Sequence, residues 1–352
     1  VSGEQHAIHP SVAAVYRDDP RLAPLIGPGG PFEVEEIVLD GVPLRSFVRA
    51  PRTIVDCFHM GVAHADRVAL VLGEERHTFA DVHRQARALA RELRTSFGVG
   101  RGDRVAIAMR NLPEFVTAFW GAALNGAIVV PLNGWWTGPE LRYALEDAGA
   151  KVAFADAERL ERILAAGVPV GTQVVGVRAP GAELPYAELA AGEGVADDEI
   201  VRLDPDDPVT ILYTSGTTGR PKGALGTNRS HMANLWNMAF VNTREAVIAG
   251  RPPKAPRQAS VLAAGPMFHI GGIAGIIGGQ MGGTKTILLH KWDVDEALRL
   301  AKAEEVTSLG GVPTMLRQLL DHPDLAAAGL EIDGIPMGGA AVAPDLPVRA
   351  NK

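Results

Sequence analysis

From Ile54 onward, short continuous apolar runs alternate with longer stretches whose apolar residues recur every three or four positions. Val68–Leu72 (VALVL) and Val105–Ala108 (VAIA) are short and continuous and read as buried strands. Between them Phe79–Phe97 carries helical spacing, and Pro113, a residue suited to a first helical turn, opens a helix to Leu124. The alternation continues with a strand over Ala127–Pro131, a helix over Pro139–Ala148, a strand over Lys151–Ala155 and a helix over Glu158–Ala166. Strands and helices in turn predict βαβ units on mostly parallel sheets, an α/β fold. A second strand–helix series begins at Val209.

Residues 1–53 are punctuated by Pro20, Pro24, Gly27, Pro28, Gly29, Gly30 and Pro31, hold one strand-like stretch at Val34–Leu39, and read as an N-terminal arm. Between the two series lies an acidic run, Ala196–Pro208, with Asp197, Asp198, Glu199, Asp204, Asp206 and Asp207, which reads as a solvated linker. The expected division is therefore an arm over 1–53, a first α/β subdomain over 54–205 and a second over 206–352. The basic, Pro-rich stretch Arg251–Arg257 reads as an exposed loop inside the second.

Composition narrows the function. The chain has 352 residues, 47% hydrophobic and 21% charged, with a net charge of −7, so no general positive field attracts nucleic acid or an anionic bilayer. Its single cysteine, Cys57, excludes an internal disulfide and a thiolate metal cluster, which suits a cytoplasmic setting. The N-terminal residues carry Glu4, Asp18 and Asp19 and lack the apolar run of a signal peptide. The uncharged stretches 115–138 and 258–284 are broken by Asn125, Pro131 and Asn133 and by glycines, His269 and Gln280, so stable membrane insertion is not expected.

The chemistry concentrates after Val209–Tyr213, a β-branched and apolar strand that stops at Thr214-Ser215-Gly216-Thr217-Thr218-Gly219-Arg220-Pro221-Lys222-Gly223. Gly216, Gly219 and Gly223 permit positive φ and close backbone approach, so amide N–H groups can turn toward one anion while hydroxyls donate from the same loop. Lys222 adds a point charge suited to the pyrophosphate that leaves a triphosphate. The spacing is not that of a Walker A loop, because two residues separate Gly216 from Gly219 and Pro221 precedes Lys222. No G-x-G-x-x-G follows a strand, which disfavours a nicotinamide enzyme.

YTSGTTGRPKG resembles the phosphate-loop signature of the adenylate-forming superfamily: acyl- and aryl-CoA synthetases, firefly luciferase and peptide-synthetase adenylation domains. GVGRGDRVAIAMRNLPEFV, LNGAIVVPLN, PELRYALEDAGAKVAFAD, PMFHIGG, GGVPTML and MGGAAVAPDL resemble that family's text in the same order, from about Ile54 to the C-terminus. The resemblance implies the large N-terminal domain of the adenylate-forming fold. It also implies a two-step reaction: a carboxylate attacks the α-phosphate of ATP to give acyl-AMP, and a thiol then displaces AMP.

Carried over position by position, Thr214, Ser215, Gly216, Thr217, Thr218, Gly219 and Lys222 would hold the β- and γ-phosphates. His269 would border the acyl channel near the reacting carboxylate, and Gly338, Gly339 and Ala340 would form the adenine and carboxylate wall. ATP, Mg²⁺ and CoA are the implied cofactor and co-substrates. PMFHIGG lacks the aspartate-bearing motif of amino-acid-activating domains, so an acyl-CoA synthetase is the better branch. Gly271, Gly272, Gly275, Gly278 and Gly279 lie where that family lines its acyl tunnel, an argument for a medium- or long-chain fatty acid.

Two alternatives stay open, a non-catalytic acyl- or nucleotide-binding module and an acyl-AMP ligase feeding a carrier protein. A homo-oligomer and transient membrane contact stay open too. Several residues read as structural: Cys57 and His59, the Trp135–Trp136 pair as packing, and Asp321-His322-Pro323-Asp324 as a helix-ending turn rather than a metal site. The family's Thr-Glu segment, its ribose-binding aspartate and the C-terminal domain with its catalytic lysine are absent before Lys352. The chain is therefore expected to be a truncated N-terminal portion, inactive or weakly active alone.

Overall fold

The computed structural model describes residues 19–214, 219–251, 257–336 and 338–350. The chain divides into two compact units, Val1–Arg52 with Ser230–Pro256 and Thr53–Arg229 with Arg257–Lys352. In the first, β1 (Val34–Leu39) and β2 (Val42–Phe47) form an antiparallel hairpin. Its two-residue turn is Asp40–Gly41, with φ of 49° and 79°, the backbone that matches the twist of the flanking strands. Phe32 meets Phe240 edge-on at 5.3 Å and Trp236 Nε1 donates to the Pro31 carbonyl at 3.3 Å. The arm thus packs on a helical segment some two hundred positions later in the chain.

The second unit runs α1 (Ile54–Met60), β3 (Val68–Leu72), β4 (Glu75–Thr78), α2 (Phe79–Thr95), β5 (Arg104–Ala108), α3 (Pro113–Leu124), β6 (Ile128–Pro131), α4 (Gly138–Ala148) and β7 (Ala150–Asp156). It continues through α5 (Ala157–Ala166), β8 (Gln173–Val177), α6 (Tyr186–Ala190), β9 (Pro208–Thr214), β10 (Lys222–Thr227) and the start of α7 (Asn228–Ile248). β11 (Ser260–Ala263), α8 (Ile270–Gly282), β12 (Lys285–Leu288), α9 (Val294–Ala303), β13 (Ser308–Gly310) and α10 (Pro313–Leu320) complete the strand–helix series. Local chemistry sets the helix starts. Thr53 with Asp56, Thr78 with Asp81 and Thr137 with Glu140 form capping boxes, and Pro113 occupies a first turn where its missing N–H costs nothing.

One sheet has the order β10-β9-β6-β5-β7-β8, parallel except at β10–β9; the other has the order β13-β11-β12-β3-β4, parallel except at β3–β4. These sheets do not follow the linear division expected at 205/206. The early strands β3 and β4 complete the sheet of β11–β13, and β9 and β10 extend the sheet of β5–β8. Periodicity reports which face of a strand is buried but not which strand lies beside it, so a boundary drawn from composition cannot see this exchange.

The acidic run is solvent-exposed as expected, at Asp197, Asp198, Glu199, Asp204 and Asp206, but it is tied down by ion pairs rather than free. Arg101 pairs with Asp207 at 2.6 Å, Arg229 with Asp206 at 2.7 Å, and Arg87 with Asp197. Asn228 donates to the Asp204 carbonyl at 2.9 Å. The neutralising arginines come from distant positions, which a local window of like charges does not show. Every residue of α3 except Glu114 is buried, and Gly121 lets it cross α2 so closely that an added Cβ would stand 2.8 Å from Leu89 Cβ.

Both sheets reverse their strand order. β6 and β7 flank β5, and β12 and β13 flank β11. In open parallel sheets such reversals leave a crevice at the carboxyl ends of the strands, where ligands bind.

Candidate active site

The hydroxyl-rich segment connects β9 to β10 as an antiparallel hairpin in which Thr214 faces Lys222 and Tyr213 faces Gly223. Ser215, Gly216, Thr217 and Thr218 lie outside the described residues. Thr214 Oγ1 donates to the Lys222 carbonyl at 3.4 Å, which closes the mouth of the hairpin. Gly219 has φ of +87° with open space around it, so its need for glycine is one of backbone conformation. Gly223 serves differently: a Cβ there would sit 2.6 Å from Ile211 Cγ2. Lys222 is exposed at the first position of β10, and no carboxylate among the described residues pairs with it.

The carboxyl end of β5 reaches the other sheet through Asn111. Its side-chain N–H group donates to the Gly265 carbonyl at 3.0 Å, and its oxygen accepts from the Met267 N–H at 3.0 Å. A buried amide therefore fixes the loop between β11 and α8. Behind it, the nearly inaccessible Arg159 pairs with Asp156 at 3.0 Å and donates to the Gly134 carbonyl at 2.6 Å, while Asp156 also accepts from the Arg110 N–H at 2.9 Å. A buried carboxylate and guanidinium thus hold the turn that presents Trp135 and Trp136.

The two tryptophans do more than pack in the core. Trp136 meets Tyr213 of the hairpin edge-on at 5.8 Å, and Trp135, 55% exposed, meets Phe268 edge-on at 5.4 Å. They join the β9–β10 hairpin to the segment carrying His269. The Arg110 guanidinium lies 4.4 Å over the Trp135 ring, and partial burial lowers its pKa from the ordinary arginine value.

His269 stands at the N-cap of α8, exposed, with its ring 4.4 Å from that of Phe268. Desolvation by the surrounding protein lowers its pKa, favouring neutral imidazole. Along α8, added Cβ atoms at Gly271 and Gly275 would meet nothing within 4 Å, whereas one at Gly272 would meet Met267 Cα at 2.4 Å. The glycines therefore split between an open face and close packing.

Gly338, Gly339 and Ala340 are exposed beyond β13, where Gly338 N–H donates to the Gly311 carbonyl at 3.3 Å and Gly339 has φ of +80°. Gly311 also lines an apolar cleft with Leu262, Trp292, Leu309 and Met315 at the end of β11 and β13. Cys57 is fully buried in α1, and burial pushes its thiol pKa up to about 12. Asp321 caps the end of α10, and among the described residues no group of three or more His, Cys, Asp or Glu side chains could hold a metal.

The family model of AMP-binding enzymes matches residues 58–352. The chain belongs to that family. It is 30% identical over 291 residues to a 4-coumarate–CoA ligase of Oryza sativa subsp. japonica, covering 81% of this chain and 50% of the relative. It is 32% identical over 257 residues to the long-chain-fatty-acid–CoA ligase FadD13 of Mycobacterium tuberculosis, covering 71% of this chain and 47% of the relative. The chain thus spans about half the length of the curated relatives it matches. Its fold superimposes on the inhibitor-bound N-terminal domain of FACL13 from Mycobacterium tuberculosis with a TM-score of 0.72 and 28% identity, covering 85% of this chain and 73% of that one.

In this member of the AMP-binding enzyme family, the structure joins the hairpin of Thr214, Gly219 and Lys222 to the His269 segment through Trp135 and Trp136, while Gly338 is tied to the end of β13. Sequence reasoning passed over Asn111, Arg159 and Asp156. Asn111 carried a usable signal, a polar residue between a buried strand and a Pro-opened helix. Arg159 carried none, since its position on an amphipathic helix reads as a solvated cation.

Proposed function

We propose that this chain is the nucleotide- and acid-binding part of an AMP-forming acid–thiol ligase. The observation that carries the reading is the β9–β10 hairpin at the carboxyl edge of a parallel sheet, with a positive-φ glycine and an exposed lysine at its exit. Family membership supports it. A substrate carboxylate oxygen attacks the α-phosphorus of ATP, the bond to the bridging oxygen breaks, and pyrophosphate leaves. The CoA thiolate then attacks the acyl carbon and AMP departs.

Such chemistry rests on positioning and on stabilising developing charge. Lys222, with the backbone and hydroxyls of 214–219, would hold the departing pyrophosphate. His269 as neutral imidazole would orient the carboxylate without trapping it as an ion pair. Gly338, Gly339 and Ala340 would line the adenine and the acid. Mg²⁺ would enter on the triphosphate, since the described residues offer no cage for it. The exposed glycine face of α8 and the similarity to FadD13 support a medium- or long-chain fatty acid; the similarity to a 4-coumarate–CoA ligase favours an aryl acid as the second reading. Among the described residues no helix is long and apolar enough to cross a membrane, and a cytoplasmic enzyme with transient membrane contact fits that.

The test is ATP–pyrophosphate exchange by the product of the complete gene with palmitate and with 4-coumarate. The reading expects exchange that requires acid and falls at least tenfold in Lys222→Ala. Acid-independent release of ADP and phosphate would overturn it. Faster exchange with 4-coumarate would select the aryl reading, and acyl transfer to a carrier-protein thiol but not to CoA would replace the second half-reaction.

A further inference from the structure

One face of α4 grips both sides of the hairpin expected to hold phosphate. On the exit side, Tyr143 Oη donates to the Pro221 carbonyl at 3.2 Å, and the Arg220 guanidinium lies 5.3 Å over the Tyr143 ring. On the entry side, Tyr213 Oη donates to Asp147 Oδ2 at 2.6 Å and stands 3.2 Å from the Ala144 carbonyl. Tyr143 and Asp147 are four residues apart, one above the other on the same helical face. The helix itself is firmly registered, begun by the Thr137–Glu140 capping box and ended by Gly149 at φ 59°.

The hairpin mouth is thus fixed at Tyr213 and at Pro221 by a single rigid element. Between those points lie the residues whose backbone would have to converge on an anion. Holding Tyr213 and Pro221 at a fixed spacing beforehand reduces the ordering cost of binding an anion at this edge.

We propose that Tyr143 and Asp147 are positioning residues that fix the spacing of the β9 and β10 ends at Tyr213 and Pro221, and thereby favour binding of the β- and γ-phosphates of the nucleotide at that edge. This rests on the proposed function, since it concerns the same loop. Neither residue is expected to touch the nucleotide; they act through Arg220–Pro221 and through Tyr213. Arg220, on the Tyr143 ring, is a second cation two positions before Lys222 in the chain.

The test titrates ATP, pyrophosphate and AMP into the product of the complete gene and into its Tyr143→Phe and Asp147→Ala variants by calorimetry, with thermal melts alongside. Tyr143→Phe keeps the ring under Arg220 and removes only the hydroxyl. One net hydrogen bond corresponds to roughly a two- to tenfold change in affinity. ATP and pyrophosphate should weaken by about that factor in each variant, while AMP, which has neither β- nor γ-phosphate, binds unchanged. Equal pyrophosphate affinity in wild type and both variants overturns the positioning role and leaves the proposed function standing. Parallel loss of AMP binding and melting temperature also overturns it, because that is the signature of general destabilisation. A wild type that binds neither ATP nor pyrophosphate sinks both readings together.

Discussion

At the scale of single residues, the candidate site shows how little of a side chain's role lies in its identity. Gly219 and Gly223 flank the same short loop, yet one is glycine for its φ of +87° and the other because Ile211 Cγ2 leaves no room for a Cβ. Gly223→Ala should therefore destabilise by about 1–3 kcal/mol through overpacking, measured by urea denaturation, and Gly223→Ala with Ile211→Ala should recover part of the loss. An unchanged midpoint in Gly223→Ala would show that β10 shifts freely.

Cys57 gives a second residue-scale prediction. A fully buried thiol with a pKa pushed up to about 12 presents almost no thiolate at pH 8. Native protein should resist iodoacetamide at that pH and become alkylated only after urea unfolding. Rapid native labelling would place the thiol at the surface.

Among elements, α8 is held at both ends by buried polar groups. Asn111 fixes the loop before it, and near its end the Gln280 amide donates to His83 Nε2 at 2.6 Å, with the His83 ring stacked on Phe58 at 4.0 Å. Burial holds His83 down to about 4 from an ordinary 6.5. The unfolded chain therefore binds the extra proton between those values. The neutral ring's contribution is complete above pH 6.5 and is lost as pH falls toward 4. Stability measured by denaturant should fall across that window, and His83→Gln should flatten the slope. Equal slopes in both proteins would show that His83 titrates normally.

Element identity was legible because it follows from periodicity. Val34–Leu39, Val68–Leu72 and Pro113–Leu124 are read from the chain with the bounds seen in the structure. β4 (ERHT) and β2 (VPLRSF) escaped because each pairs along one side only and carries charged or proline residues that a buried strand would exclude. The Asp40–Gly41 turn was a visible hairpin signal beside β2 and would have found it. For the candidate site, the sequence singles out the loop after Tyr213 by its glycines and lysine. Its supports, Asn111, Tyr143, Asp156 and Arg159, were not legible there, because each acts on a backbone carbonyl or amide far away in sequence.

For the whole second unit, the decisive feature is that loops at the carboxyl ends of its strands are held by a few buried polar contacts, Asn111 between the two sheets and Arg159 within the sheet of β5–β8. Arg159 is the most deeply placed of them, with Asp156 as its partner and the Gly134 carbonyl as its target. Removing it as Arg159→Leu leaves a buried carboxylate unpaired and should cost about 3–5 kcal/mol, read from the urea midpoint. Because Gly134 precedes the Trp135–Trp136 bridge, the same variant should loosen the coupling of hairpin and His269 segment. A neutral midpoint would contradict this account of the pair.

The central claim is that the hairpin between β9 and β10 receives a nucleotide triphosphate, and a crystal structure of the complete gene product with a non-hydrolysable ATP analogue tests it most directly. The account predicts β- and γ-phosphate oxygens within hydrogen-bond distance of the backbone of 215–219 and of Lys222 Nζ, with the α-phosphate turned toward His269. A triphosphate bound in full occupancy elsewhere, with Thr214, Gly219 and Lys222 untouched, would contradict it.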